Sequence, residues 1–263
     1  MIVRLILAAL AAIAALAGSA SQARAGMEVR ETRFAWTTRE RAVLVSEDMV
    51  GAVMQIRGPE GNVFSARLDG IEPAFEDPTI LLHRFSVRDG VDGAWSPMCE
   101  PDAYGRRAGF PVSGRWDADG RYVKDPDSWF LACASGSQGK CILWGYNPFR
   151  RGSHGEDLAP FYQACQHMVR ADYEGRGAAH TRNGTRIEMT DVAGVISGPG
   201  DADPAWRFEA GWGPEGAVCV AHTRWENLLP TTVLLESRPQ LAAAPCDEAE
   251  ARRRGGLLFN RSR

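Results

Sequence analysis

Six cysteines, Cys99, Cys133, Cys141, Cys165, Cys219 and Cys246, constrain this chain more than any other feature: the number is even and all six lie beyond Met98. In an oxidising compartment such a set reads as a disulfide framework, with fifteen connectivities open to it. The simplest pairs neighbours: Cys99 with Cys133, Cys141 with Cys165, Cys219 with Cys246. Of these, Cys141 to Cys165 would pin the helix expected after residue 157 to the strand before it. A zinc site is the rival use of these residues, but no C-x-x-C or H-x-x-x-H pair occurs, so no metal is expected.

The compartment is read from the N-terminus. Met1 to Arg4 is followed by an apolar run from Leu5 to Ala17, then by Ala23-Arg24-Ala25 before Gly26. This is the pattern of a secretory signal peptide, residues 1–25. The run is short for a span, no other stretch approaches the roughly 20 apolar residues a span needs, and no cysteine near the cleavage point offers a lipid anchor. The mature protein is therefore expected to be soluble, not membrane-spanning, and exported, either periplasmic or secreted. Losing Arg4 and Arg24 leaves 28 of the 30 basic residues against 33 acidic ones, a formal charge of −5. That balance argues against nucleic acid as a partner. No cofactor pattern is present, and the near absence of lysine, Lys124 and Lys140 alone, suggests a GC-rich bacterial source.

One helix is predicted with clarity, over Leu158 to Gly175. On a helical period Leu158, Phe161, Tyr162, Cys165, Met168, Val169 and Asp172 share one stripe, with Gln163, Gln166, His167 and Arg170 opposite. Asp157 is the expected N-cap, Pro160 is tolerated in the first turn, and Gly175 is the expected stop. A carboxylate on an apolar stripe must be paired, hydrogen-bonded or neutralised, and Asp172 is the first candidate site residue on that ground.

The run Cys165 to Gly175, containing Met168-Val169-Arg170-Ala171-Asp172-Tyr173, resembles the ADYC-domain family of bacterial exported proteins. Gly139-Lys140-Cys141, Trp144-Gly145-Tyr146, Thr181-Arg182-Asn183-Gly184-Thr185, Phe208-Glu209-Ala210 and Gly216-Ala217-Val218-Cys219 carry the same resemblance, which runs from about Cys133 to Cys219. Glu174 stands where the family's eponymous cysteine falls. The resemblance implies a relative without implying an activity.

The rest of the chain reads mostly as strands. Val53 to Arg57, a Gly58-to-Asn62 turn and Val63 to Arg67 form one hairpin, and Ile80 to Val87 is a third strand closed by Asp89-Gly90. Arg115 to Val123 is a second hairpin. Trp95, Tyr104, Phe110 and Trp116 punctuate a Gly- and Pro-rich stretch; exposed, such rings make a sugar platform, but the preferred reading buries them over the stapled core. Gly136-Ser137-Gln138-Gly139-Lys140 fails as a phosphate loop, since Ala134 takes the first glycine's place and Cys141 the hydroxyl's; it is read as a loop. Thr181 to Arg186 is a tight Asn-Gly hairpin leading into Ile187 to Thr190, followed by a loop from Gly194 to Pro204. Trp206 to Arg224 is a further hairpin about Gly213-Pro214-Glu215-Gly216. Glu248 and Glu250, four residues ahead of Arg252 and Arg254, mark a short solvated helix, and 257–263 is expected to fray.

The expected architecture is α+β, mainly antiparallel hairpins packed on one principal helix and stapled by disulfides, with a β-rich region over 26–98, a cysteine-containing domain over 99–250 and a basic tail over 251–263. Two functions of different class remain. The favoured one is a non-catalytic binding or scaffold protein of the bacterial envelope, in which Asp172 clamps Arg182 or Arg186, and Arg182, Arg186 and Tyr173 are the candidate binding residues. The other is an exported hydrolase acting on a glycan or peptide, with Asp172, Glu174 and His180 as its acid and base groups. No G-x-S-x-G and no H-E-x-x-H favours the second, and the sequence leaves open whether the protein is an enzyme.

Overall fold

The computed structural model describes residues 26–263 apart from 59–60, 89–92, 197 and 199–202. The leader, parts of the 58–62 turn and of the 194–204 loop, and the Asp89-Gly90 closure therefore lie outside the described residues. Strands β1 (Gly26–Arg30), β2 (Arg33–Thr37) and β3 (Val43–Val45) make a three-stranded antiparallel sheet. Next come β4 (Val53–Arg57), β5 (Val63–Pro73), β6 (Leu81–Arg88), the short β7 (Ser96–Pro97) and β8 (Gly109–Ser113), then β9 (Arg115–Trp116), β10 (Tyr122–Val123) and β11 (Trp129–Cys133). The β4–β5 hairpin pairs Val53 with Arg67 through Arg57 with Val63, as its alternation predicts. A six-stranded sheet runs β11-β8-β6-β5-β4 with β7 beside β6, so it takes strands from both sides of Met98.

Helices α1 (Ser137–Leu143) and α2 (Ala159–Arg170) follow, then β12 (Glu188–Asp191), β13 (Arg207–Gly213), β14 (Gly216–Val220), α3 (Thr231–Ser237), α4 (Glu248–Arg253) and β15 (Leu258–Ser262). The last sheet has the order β12-β15-β13-β14, all antiparallel. The fold is thus α+β with antiparallel sheets. Its main core joins Leu82, Phe110, Val112 and Ala132 of the six-stranded sheet to Ile142 of α1, Tyr162 and Met168 of α2, and Trp212 and Leu258 of the four-stranded sheet. A smaller core of Val29, Phe34, Leu68 and Phe85 holds the N-terminal sheet on.

The three bridges join neighbours: Cys99–Cys133, Cys141–Cys165 and Cys219–Cys246. Several expectations change. Cys141 lies on α1, so its bridge ties α2 to another helix rather than to a strand, and the 136–140 segment read as a loop opens that helix. Small residues decide this: a Cβ on Gly139 would collide with the carbonyl of Cys133, so glycine alone lets α1 start against the end of β11. The 181–190 hairpin does not form, because β12 finds its partner in β15. The tail does not fray, since Leu258, Phe259, Asn260 and Ser262 are buried in a central strand. Of the four aromatic residues, Phe110 is fully buried and Tyr104 is exposed against Phe75.

Helix α2 stops earlier than Gly175. Ala171 takes the left-handed conformation at φ 51°, its N–H reaches Met168 O, and the N–H of Asp172 reaches His167 O at 2.9 Å. This is a Schellman stop with alanine in the place glycine usually holds. Asp172 is therefore beyond the helix and not on its apolar stripe. At the other end Asp157 Oδ1 accepts the N–H of Ala159 at 3.0 Å, and Pro160 sits in the first turn where no intrahelical bond is lost.

Candidate functional site

The polar stripe of α2 faces a cleft rather than bulk water. Gln163, Gln166 and His167 are no more than 7 % exposed, yet all three line a cavity of about 1080 Å³. The β9–β10 turn contributes Asp119 and Arg121, the start of α1 contributes Ser137 and Gln138, and the 172–177 turn and the β13–β14 turn close the far side with Asp172, Glu174, Arg176 and Glu215. Trp116 stands in the wall, half-buried and packed on Tyr122 and Tyr162, with its indole N–H unpartnered.

Asp172 organises one end of this cleft. Its Oδ2 lies 3.0 Å from His167 Nδ1 and accepts the N–H of Gly177 at 2.7 Å, while Oδ1 accepts the N–H of Arg176 at 3.1 Å. Burial works against its charge, but these hydrogen bonds and the neighbouring imidazole outweigh it and hold the carboxyl below the usual carboxylate range. The far ring nitrogen of His167 sits 3.0 Å from Pro214 O and 3.2 Å from the amide nitrogen of Gln163. Gln163 is itself fixed, accepting from Tyr122 N at 2.9 Å and donating to Gly120 O at 3.2 Å. A continuous chain of hydrogen bonds thus runs from the β9–β10 hairpin through Gln163 and His167 to Asp172 and the turn after it.

The two turns that face each other across the cleft end are locked by glycine. Gly175, at φ 67°, lies so close to Glu215 that a Cβ would strike its carbonyl, and Ala217 donates to Tyr173 O at 3.0 Å. Arg121 bridges to Glu215 at 2.7 Å, and Glu174 pairs with Arg238 Nε at 2.5 Å.

The predicted site residues separate into different places. Asp172 and Glu174 both line the cleft. His180 does not: it stacks on Tyr173 and faces Ala171 O at 3.2 Å. The histidine paired with Asp172 is His167, five residues earlier, and the expected clamp to Arg182 or Arg186 is absent. Arg182 lies over the Trp225 ring at 4.3 Å, and Arg186 lines a different, smaller pocket. Tyr173 is buried, its hydroxyl donating to Glu209 Oε1 at 3.0 Å and accepting from Arg224 N at 2.7 Å.

The buried clamp is built from Glu209 and Arg224, two residues the sequence did not single out. Their bidentate contact is 3.0 Å on both arms. Asn260 donates to the same carboxylate at 2.7 Å, and the guanidinium also donates to the carbonyls of Met168 and Val169 in the last turn of α2, where no further helical turn follows to use them. A pair buried to this depth is tolerable because nearly every donor and acceptor is used. The signal available in the sequence was the carboxylate of Glu209 set inside the apolar run from Phe208 to Trp212.

Fold and site together define a disulfide-stapled α+β domain with a polar cleft wired by buried hydrogen bonds. A family model, the ADYC domain, matches residues 46–226, more than half of the chain, and the protein belongs to that family. The match starts well before Cys133, taking in the strands of the six-stranded sheet from β4 onward. No curated protein and no solved structure matches the chain. Each residue of the Ala-Asp-Tyr motif has a structural contact: Ala171 turns the chain, Asp172 gathers the turn, and Tyr173 joins the buried clamp. Among the described residues no helix is long and apolar enough to cross a membrane and no cluster suits a metal ion.

Proposed function

We propose that this is an exported, non-catalytic binding domain of the bacterial envelope whose cleft holds a neutral carbohydrate. The observation that carries the reading is the floor of the cleft, where Gln163, Gln166 and His167 are buried yet turned toward open space. Gln163 is committed to Tyr122 N, Gly120 O and His167, but Gln166 spends only one amide N–H, on Ser137 O, and keeps a donor and an acceptor for sugar hydroxyls, while Trp116 offers an indole face in the same wall. Three arginines, Arg121, Arg170 and Arg176, stand against four carboxylates, Asp119, Asp172, Glu174 and Glu215, so the wall carries no excess of positive charge to call for an anion, and a ligand without net charge suits it. Three disulfides and the leader-like N-terminus support export. Asp172 supports binding over hydrolysis, because both oxygens are committed to the turn and its lowered pKa makes it a poor proton donor near neutrality.

A hydrolase remains the second reading because Asp172 and Glu174 line one cleft with a histidine at hand. Titration with a β-linked N-acetylglucosamine tetramer, followed by mass spectrometry of the recovered sugar, separates the two. Saturable binding of intact sugar that weakens about tenfold or more in Gln166→Ala is expected, with Asp172→Asn lowering the thermal midpoint by the equivalent of about 2 kcal/mol. Cleavage by the wild type that disappears in Asp172→Asn would establish the hydrolase instead, and absence of binding removes the carbohydrate reading.

A further inference from the structure

A second pocket, of about 280 Å³, lies among Arg186, Arg224, Trp206, Trp225, Ser262 and Arg263, and shares no residue with the cleft. Most of its polar groups are already satisfied. Arg224 is held by Glu209, Arg263 meets Asp203 at 3.0 Å and lies over the Trp206 ring at 4.7 Å, and Trp225 donates its indole N–H to Thr185 at 3.0 Å. Two groups are left. Arg186 is exposed and makes no hydrogen bond or ion pair among the described residues, and Ser262 is 1 % exposed with a hydroxyl that has no partner. A buried hydroxyl without a partner costs stability in the free protein, which a ligand able to accept its proton relieves.

We propose that this pocket binds a small carboxylate carried on a planar or apolar ring. The carboxylate meets Arg186, whose fork matches its geometry, and accepts from Ser262, while the ring lies against the half-buried indoles of Trp206 and Trp225. The size limits the body to about one ring, since pockets for larger ligands start near 300 Å³. An inorganic oxyanion uses the arginine but makes no apolar contact with either indole.

Calorimetric titration of the oxidised protein with benzoate, benzamide and inorganic phosphate tests this. Benzoate is expected to saturate, with benzamide and phosphate each about tenfold weaker or more. Arg186→Gln, at an exposed side chain with no hydrogen bond or ion pair among the described residues, is expected to weaken benzoate about tenfold and leave benzamide unchanged. Ser262→Ala is expected to leave the thermal midpoint of the free protein unchanged or higher while weakening benzoate severalfold. Gln166→Ala, in the cleft, is expected to leave benzoate binding intact, so this pocket stands or falls apart from the carbohydrate reading. No saturation with benzoate, equal binding of benzamide or of phosphate, or an unaffected Arg186→Gln would each overturn the proposal.

Discussion

His83, in the middle of β6, shows how one buried side chain ties this molecule's stability to pH. It is fully buried, with Nδ1 2.8 Å from Leu81 O and Nε2 2.8 Å from Ser46 Oγ, and Ser46 Oγ in turn accepts the N–H of Phe34. Those partners fit a neutral ring that donates from Nδ1 and accepts at Nε2. Burial pushes its pKa down to about 4, the Leu81 carbonyl and Glu47 pulling the other way and Arg33 assisting. An unfolded histidine titrates near 6.5, so as pH falls from there the unfolded chain takes a proton that the folded one refuses. Stability from this residue is complete above about pH 6.5, declines toward pH 4 and is then level, a loss of about 3 kcal/mol across the window. Chemical denaturation of the wild type and His83→Gln should show a stability gap that is constant above pH 7 and narrows toward pH 4. Parallel curves would mean that the ring takes up its proton as readily in the fold as in the unfolded chain.

At the scale of elements, the cleft depends on two turns that meet with no room for a side chain. Gly175→Ala places a Cβ against the carbonyl of Glu215 and asks a non-glycine residue to hold φ 67°. A cost of about 2 kcal/mol or more is expected, read as a lower denaturation midpoint, whereas Gly177→Ala, also at positive φ but facing open space, should cost about 1 kcal/mol. Equal costs would show that backbone conformation, not the contact, sets the requirement. Such contacts are where sequence reading ends. Hairpins with local partners were legible: β4–β5, β9–β10 and β13–β14 each lie across a turn that Gly, Asp or Pro announces. The β12 strand was legible as a strand but not in its pairing, because its partner β15 is far along the chain and the Asn183-Gly184 just ahead of it suggested a nearer one. The polar face of α2 was legible as Gln163, Gln166, His167 and Arg170, but periodicity alone does not tell a face turned to solvent from one turned to a cleft. Asp172 was found on a premise that failed, a place on the apolar stripe of α2, although the need of a buried carboxylate for partners held. Its partner was missed because the left-handed turn at Ala171 swings the chain back onto His167.

For the whole molecule, Cys99–Cys133 already puts Cys133 in the cleft wall, and the question is which of the other two bridges shapes the cleft and which only stabilises the chain. Cys141–Cys165 closes a separation of 24 residues and Cys219–Cys246 one of 27, so loop entropy gives the two nearly the same value, roughly 3 kcal/mol each. Their placements differ. Cys141 and Cys165 sit on α1 and α2, the two helices that bring Ser137 and Gln138 against Gln163 and Gln166, and Gln166 donates to Ser137 O at 3.3 Å. Cys219 and Cys246 pack with Ala251 and Phe259 on the side of the four-stranded sheet that carries α4, and line no part of the cleft. Replacing both members of either pair by alanine should therefore lower the denaturation midpoint by similar amounts. Only the Cys141/Cys165 variant should also weaken the carbohydrate probe, because it frees one cleft wall from the other. Equal loss of binding in both variants would mean that the cleft follows global stability, and that the α1–α2 bridge has no special part in holding it open.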